Sequence, residues 1–273
     1  MPQPFDFELT LGRFRANGVD LLNTFGDDGY ARVIEGQEVR VNAVDGGVQV
    51  SPTNESLEAR VRRLFGAADD LEGFGVAVES WGDETLKHLL GALRGLRIAL
   101  IPDPLEMLVT SITAQQISQA AALAVRNRVV ERLGTRCGAV HDFPSAEALT
   151  QAGDGELRAL GLSRPKAQAV LAIAGSDVEW SALESQPDDA VIDALVELRG
   201  IGRWSAEWYL VRHLGRPDVW PAGDLALRRA VAFYYPAGNA DDEDSVRGFG
   251  ERFAPYRSLV CHYLLTGVRL AET

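Results

Sequence analysis

Apolar and polar residues alternate through FDFELTLGRF, ARVIEGQEVRVNAV and GGVQVSP near the start of the chain. A period of two predicts half-buried strands. Asp-Asp-Gly and Asp-Gly-Gly lie between these stretches, where antiparallel strands need turn residues. The period then lengthens. SLEARVRRLFGA sets Leu57, Val61, Leu64 and Phe65 on one helical face, and ETLKHLLGALRG repeats the helical pattern before the short apolar run LRIALI. Residues 1–97 therefore read as a small antiparallel sheet domain with helices packed on it.

Beyond Pro102 and Pro104 the strand pattern fades. PLEMLVTSITAQQISQAAALAVRNRVVERLG is one long helix, or two broken near Thr113–Gln116. Ser145 is an N-cap for AEALTQ, and GDGELRALG is a short helix closed by Gly161. RPKAQAVLAIAGS, DDAVIDALVEL, RWSAEWYLVRHLG and APYRSLVCHYLLTGV complete a helical series. The fold class is α+β: the sheet domain over 1–97, then an all-helical domain over 98–273 with a helical hairpin at about 188–214.

Composition narrows the class. Hydrophobic residues make up 46% and charged residues 24%, a balance that supports a packed core. No uncharged apolar run approaches the ~18–20 residues that span a bilayer, and MPQPFDFELT lacks the features of a signal peptide. The expectation is a cytoplasmic protein with no membrane association. Cys137 and Cys261 are too few and too far apart for a metal site, and a four-cysteine iron–sulfur cluster is excluded. Net charge is −12, which repels a generic polyanion at long range, and only Lys87 and Lys166 among the 27 basic residues are lysine. Acid-rich, lysine-poor composition fits either a salty cytoplasm or a GC-rich genome.

Against that background, one stretch is basic. Between Arg199 and Tyr235 lie Arg199, Arg203, Arg212, Arg216, Arg228 and Arg229, opposed by Glu207, Asp218 and Asp224. Arg158, Arg164 and Lys166 flank a second turn, Gly161-Leu162-Ser163. The stretch opens on Leu198-Arg199-Gly200-Ile201-Gly202-Arg203-Trp204, where one helix ends and another begins. Glycine permits close backbone approach there, and free amides of the second helix's first turn form an anion site. Gly200, Ile201, Gly202 and Arg203 are the candidate phosphate contacts; an ordinary helical hairpin would carry the same glycines. Further on, Pro221-Ala222-Gly223-Asp224 forms a turn in which Asp224 starts an amphipathic helix, by itself the place of an N-cap.

Taken together these motifs resemble the helix-hairpin-helix base-excision DNA glycosylases, and within them the bacterial 3-methyladenine DNA glycosylase II type. The matching segments are DPLEMLVTSITAQQIS, FPSAEALTQAGDGELRALGLSRPKAQAVLAIA, LRGIGRWSAEW, PAGDLALRRA and APYRSLVCHYL, in family order over about 98–268. The resemblance implies that Asp224 is the catalytic carboxylate, stabilising positive charge on deoxyribose or orienting the attacking water. It implies Trp204, Leu225 and Leu265 as substrate-pocket positions, Gln116 as the wedge with Gln115 beside it, and duplex DNA containing damaged bases as partner. At helical spacing Trp204, Trp208 and Val211 also form a core stripe, and Trp208 is assigned to it. No cofactor is required, and no side chain holds a metal. A monovalent cation on main-chain carbonyls around Leu198 and Ile201 is implied by resemblance alone.

Departures from the family pattern refine the expected chemistry. Relatives that also cleave the sugar–phosphate chain place a lysine just after the hairpin; here those positions are Arg203 and Trp204. The expectation is a monomeric, monofunctional enzyme that uses water to remove alkylated purines of the 3-methyladenine and 7-methylguanine type. Leu225 and Leu265 stand where relatives often carry an aromatic ring, so selectivity would rest mainly on the weakened glycosidic bond. The alternatives are a glycosylase for oxidised or deaminated purines, and a non-catalytic DNA-binding module in which Asp224 only caps its helix.

Overall fold

A computed structural model describes residues 1–26, 29–236 and 242–272. Its first element departs from the alternation pattern. FDFELTLGRF forms helix α1 (Phe7–Arg15), capped by Asp6, whose carboxylate accepts the Leu9 amide at 2.8 Å. Phe7, Thr10, Leu11 and Phe14 are its buried residues, a 3.6-residue spacing, while Leu9 is only partly covered. The alternation of Phe5, Phe7, Leu9 and Leu11 mimics a strand, but the cap and the burial of Thr10 and Phe14 select the helix.

The other expected strands are present. β1 (Thr24–Gly26), β2 (Gly29–Ile34), β3 (Gln37–Val44) and β4 (Gly47–Ser51) form an antiparallel sheet in sequence order. Tyr30 lies opposite Val41, and Val41 opposite Val50. Gly46, at φ 72°, makes the β3–β4 turn; Asp27 and Asp28 of the Asp-Asp-Gly turn lie outside the described residues. One sheet face packs on α1 and α2 (Glu55–Leu64) in a core of Phe7, Leu11, Tyr30, Val39, Leu57 and Phe65, among others. The other face sets Ala31 and Val33 against Val140. That valine belongs to a hairpin absent from the sequence pattern, β5 (Arg136–Cys137) with β6 (Val140–His141).

The helical series follows: α3 (Leu71–Trp81), α4 (Glu84–Ala92), α5 (Pro104–Ala114), α6 (Gln119–Leu133), α7 (Ala146–Ala159), α8 (Arg164–Ala174), α9 (Trp180–Leu183), α10 (Asp188–Val196), α11 (Arg203–Tyr209), α12 (Leu225–Tyr234), α13 (Glu243–Gly250) and α14 (Arg257–Ala271). A π turn, Leu210–Leu214, extends α11. The long stretch after Pro104 is two helices, and α7 joins the two short segments expected there across a kink at Gly153 (φ 69°). The α+β class holds. Phe74, Val78, Leu86 and Leu89 of α3 and α4 share one core with the C-terminal helices. By packing, that core therefore begins before the boundary expected at residue 97.

Residues 96–101 run without regular secondary structure between the two cores. Ala99 joins the sheet core, while Ile98, Leu100 and Ile101 join the helical one. Their main-chain groups find partners on both sides: Ile98 N–H donates to Asp69 Oδ2 at 2.7 Å, Leu100 N–H to the Leu64 carbonyl and Ile101 N–H to that of Arg212. A buried irregular segment is tolerable only with such pairing. It ties the sheet region to the π turn, and hence to α11.

Candidate active site

Pro221 to Asp224 turn tightly, with Asp224 N–H donating to the Pro221 carbonyl at 2.8 Å. Trp220 anchors the turn, its indole N–H donating to the Val246 carbonyl at 2.8 Å. Asp224 caps α12, and its Oδ1 accepts the Leu227 amide at 2.9 Å. Leu227, Ala230 and Val231 bury the inner face of α12 and fix the helix whose start carries the carboxylate.

The other oxygen is held by two rings. Oδ2 of Asp224 accepts Trp204 Nε1–H at 2.8 Å and Trp208 Nε1–H at 3.0 Å. Trp204 and Trp208 stand four residues apart on α11, so both indoles leave the same face of the helix. Three donors thus orient one half-buried carboxylate. The N-cap reading and the carboxylate expected from the motif coincide in one residue. Trp208 lies in the core, as its spacing implies, yet it is also part of the site. Its signal in the sequence was the single indole N–H, which a buried tryptophan must place on an acceptor.

Behind this clasp lie further charged and aromatic groups. The Arg212 guanidinium sits 4.9 Å from the Trp208 ring centroid, and burial pushes it down to about 10. Burial, followed by the charge of Asp224, pushes the Cys261 thiol up, so α14 runs alongside the carboxylate. Leu265 is one turn beyond Cys261 and partly covered; Leu225 is 56% exposed.

The hairpin has the expected form. Gly200 adopts φ 85°, and a Cβ there would meet the Ala169 methyl of α8. Gly202 caps α11 with no side chain on the first-turn amides. Ile201 is buried and donates its amide to the Leu198 carbonyl at 3.0 Å. Arg203 is only partly available: its Nε–H donates to buried Glu207 at 2.9 Å, and Arg247 meets the same oxygen at 2.8 Å.

The basic count overstates the surface charge. Arg212 is buried, and Arg216 pairs with Asp188 and donates to the Glu184 and Gln186 carbonyls. Arg164 and Arg229 are exposed and have no protein partner among the described residues.

The two glutamines expected as wedge differ in placement. Gln116 stands exposed in the α5–α6 turn at φ 60°, a left-handed conformation that costs a residue with a side chain about 1–3 kcal/mol. Ile117 beside it is 41% exposed. Gln115 does not project freely: its Nε2–H donates to the Gly200 carbonyl at 3.1 Å. Lys166 Nζ–H donates to the Thr113 and Gln115 carbonyls at 2.9 and 2.6 Å. The turn is thus bolted to α8 and to the hairpin. Both connections are long-range contacts with no local sequence signature.

With this geometry in place, likeness to known proteins can be read on the same residues. Residues 109–255, which span the α5–α6 turn, the hairpin and Asp224, match the model of the HhH-GPD superfamily of base excision DNA repair proteins. The chain belongs to this superfamily. Among curated relatives, a Mycobacterium tuberculosis protein named "probable bifunctional transcriptional activator/DNA repair enzyme AlkA" is 28% identical over 96% of this chain. The match covers 55% of that protein, so the chain spans about half its length. DNA-3-methyladenine glycosylase 2 of Escherichia coli is 27% identical over 93% of this chain and 91% of its own. Among solved structures, the 3-methyladenine DNA glycosylase of Archaeoglobus fulgidus superposes with a TM-score of 0.84 at 28% identity, covering 97% of this chain and 96% of that one.

The HhH-GPD hairpin offers only main-chain oxygens to a cation. The Leu198 carbonyl accepts Ile201 N–H and the Gly200 carbonyl accepts Gln115, and each oxygen keeps a second lone pair. Neutral carbonyl oxygens are the donor type that a monovalent cation takes. Among the described residues no group of histidine, cysteine or carboxylate side chains could hold a metal ion, and no helix is long and apolar enough to cross a membrane.

Proposed function

We propose that the chain is a monofunctional DNA glycosylase that excises alkylated purines, of the 3-methyladenine and 7-methylguanine type, from duplex DNA. The observation that carries this reading is the three-donor clasp on Asp224. A carboxylate held this way keeps its direction and needs no reorganisation as charge develops.

The damaged nucleotide leaves the stack, and Gln116 at the exposed turn enters the gap. As the C1′–N bond lengthens, its electron pair goes to the departing base and positive charge builds on the deoxyribose. Asp224 stabilises that charge through the free lone pair of Oδ1. Water adds at C1′ and releases a proton to solvent, leaving an abasic site. An N3- or N7-alkylated purine already carries positive charge and departs neutral. A pocket bordered by Trp204, Leu225 and Leu265 then needs only to admit it.

Phosphates of the same strand meet the Gly200, Gly202 and Arg203 amides, the Ile201 amide being held by the Leu198 carbonyl, with Arg164 and Arg229 as further basic contacts. Where bound, a cation at the hairpin carbonyls adds local positive charge for a phosphate.

The absence of strand cleavage is supported by the two lysines. Lys87 pairs with Glu79 and Glu84, and Lys166 is spent on two carbonyls of the wedge turn. The enzyme acts on damaged duplex DNA as a cytoplasmic monomer. The test is base release from methylated duplex by wild type and Asp224→Asn, with hypoxanthine- and 8-oxoguanine-containing duplexes in the same panel. Preferential release of those bases would replace the alkylpurine reading, and tight lesion binding without release of any base would leave only a binding module. A borohydride-trapped covalent adduct would overturn the monofunctional assignment.

A further inference from the structure

A cavity of about 100 Å³ lies between the end of α1 and the helices α5 and α6. Its walls are Arg13 and Phe14 of α1, Asn17 just after that helix, Thr110 and Ala114 of α5, and the α6 face that ends at Arg126; Asp20 and Ile101 close it. Ala114 and Gln119 place it directly behind the wedge turn. It shares no lining residue with the Asp224, Trp204 and Trp208 set.

Three donors in this wall lack partners. Arg13 Nε, Arg126 Nε and the Thr110 hydroxyl are buried with no hydrogen-bond partner, and Arg126 is only 7% exposed. A buried donor left unsatisfied costs roughly 1–3 kcal/mol, and more when charged. All three residues line the same space.

Charge selects the occupant. Arg126 pairs with Asp20 at 2.6 Å, and the Asp20 oxygens are further used by the Leu22 amide and Asn23. Arg13 has no such neutralisation. Its Nη2–H donates to the Ala99 carbonyl at 3.1 Å, its guanidinium lies 4.2 Å from the Phe14 ring centroid, and no carboxylate pairs with it among the described residues. Burial lowers its proton affinity, and the neighbouring Arg212 and Arg126 lower it further against the opposing charge of Glu106. Water would satisfy the donors but not the excess charge. Guanidinium edges and a hydroxyl are a donor set that suits a tetrahedral oxyanion.

We infer that this cavity binds one phosphate-class oxyanion, held by Arg13, Arg126 and Thr110, which locks α1 onto the helix pair that carries the wedge turn. The inference is independent of the base that is excised. Its test uses the full chain. Crystals soaked in selenate should show an anomalous peak in the cavity. Inorganic phosphate should raise Tm saturably in wild type, at constant ionic strength, with a midpoint at least tenfold higher in Arg13→Gln. Thr110→Val, nearly isosteric, should raise the midpoint severalfold and serves if the arginine variant does not fold. A midpoint unchanged by short duplex DNA identifies the free ion as the ligand, whereas one raised by DNA identifies a backbone phosphate competing for the same donors. No anomalous peak, or one phosphate response common to wild type and both variants, overturns the site.

Discussion

Replacing Asp224 by Asn removes one negative charge and also breaks the clasp that orients it. For the charge, a carboxylate ~4 Å from a developing cation at an effective dielectric of ~20 contributes about 4 kcal/mol, or roughly a thousandfold in rate. For the clasp, Oδ2 accepts two indole N–H groups and Oδ1 accepts the Leu227 amide. Asparagine has one acceptor and one donor, so it can serve the indoles or the amide, but not both. Whichever is left faces an NH₂ group, at a cost of about 1–3 kcal/mol in stability. The expected result is a folded protein of lowered Tm whose single-turnover base release from methylated duplex falls about a thousandfold. Base release is followed by chromatography, with circular dichroism as the folding control. A wild-type rate in the variant would refute the role of the carboxylate. A wild-type Tm with a lost rate would show that charge matters and the clasp does not.

Further outcomes follow from the same contacts. Trp208→Phe keeps a ring but removes one donor to Oδ2, and a charged hydrogen bond of ~1.5–3 kcal/mol sets a ceiling of about 10–100-fold on the loss of single-turnover rate. Gln116→Ala should weaken base flipping, read by 2-aminopurine fluorescence, whereas Gln115→Ala should also weaken undamaged-duplex binding, because only Gln115 bridges to Gly200. Arg164→Gln with Arg229→Gln should lower the salt dependence of duplex binding by up to about two in log–log slope if both meet phosphate; an unchanged slope removes them from the interface. Asp69 titrates at about 6 rather than 3.8 because burial disfavours its charge. The folded state therefore holds a proton that the unfolded chain releases, and stability from this group falls as pH rises from about 4 to 6, by up to ~3 kcal/mol. Asp69→Asn, which can still accept the Ile98 amide, should be more stable than wild type at pH 7 and lose that part of the slope in denaturant titrations; equal slopes would refute the burial effect.

Much of the site was legible in sequence because its parts are local. A glycine pair between two helices, a turn before an amphipathic helix and an N-capping aspartate are each set by a few neighbouring residues, and their order along the chain carried the family. The strands β2 to β4 and most helices were legible for the same reason, since burial repeats with the backbone period. Where two periods compete the pattern misleads: Phe7, Leu9 and Leu11 alternate like a strand, but Asp6 caps a helix and Phe14 completes its buried face.

Tertiary structure alone decided which groups meet. That Trp208 reaches Asp224, that Gln115 ties the wedge turn to the hairpin, and that Lys166 is used up on two carbonyls depend on residues 16 to 85 positions apart. The burial of Arg212, which the charge count included in the basic stretch, is of the same kind. Local sequence selects backbone conformation through short-range sterics and hydrogen bonding. The partner of a polar side chain is set by the packing of whole elements, and that packing exists only in three dimensions.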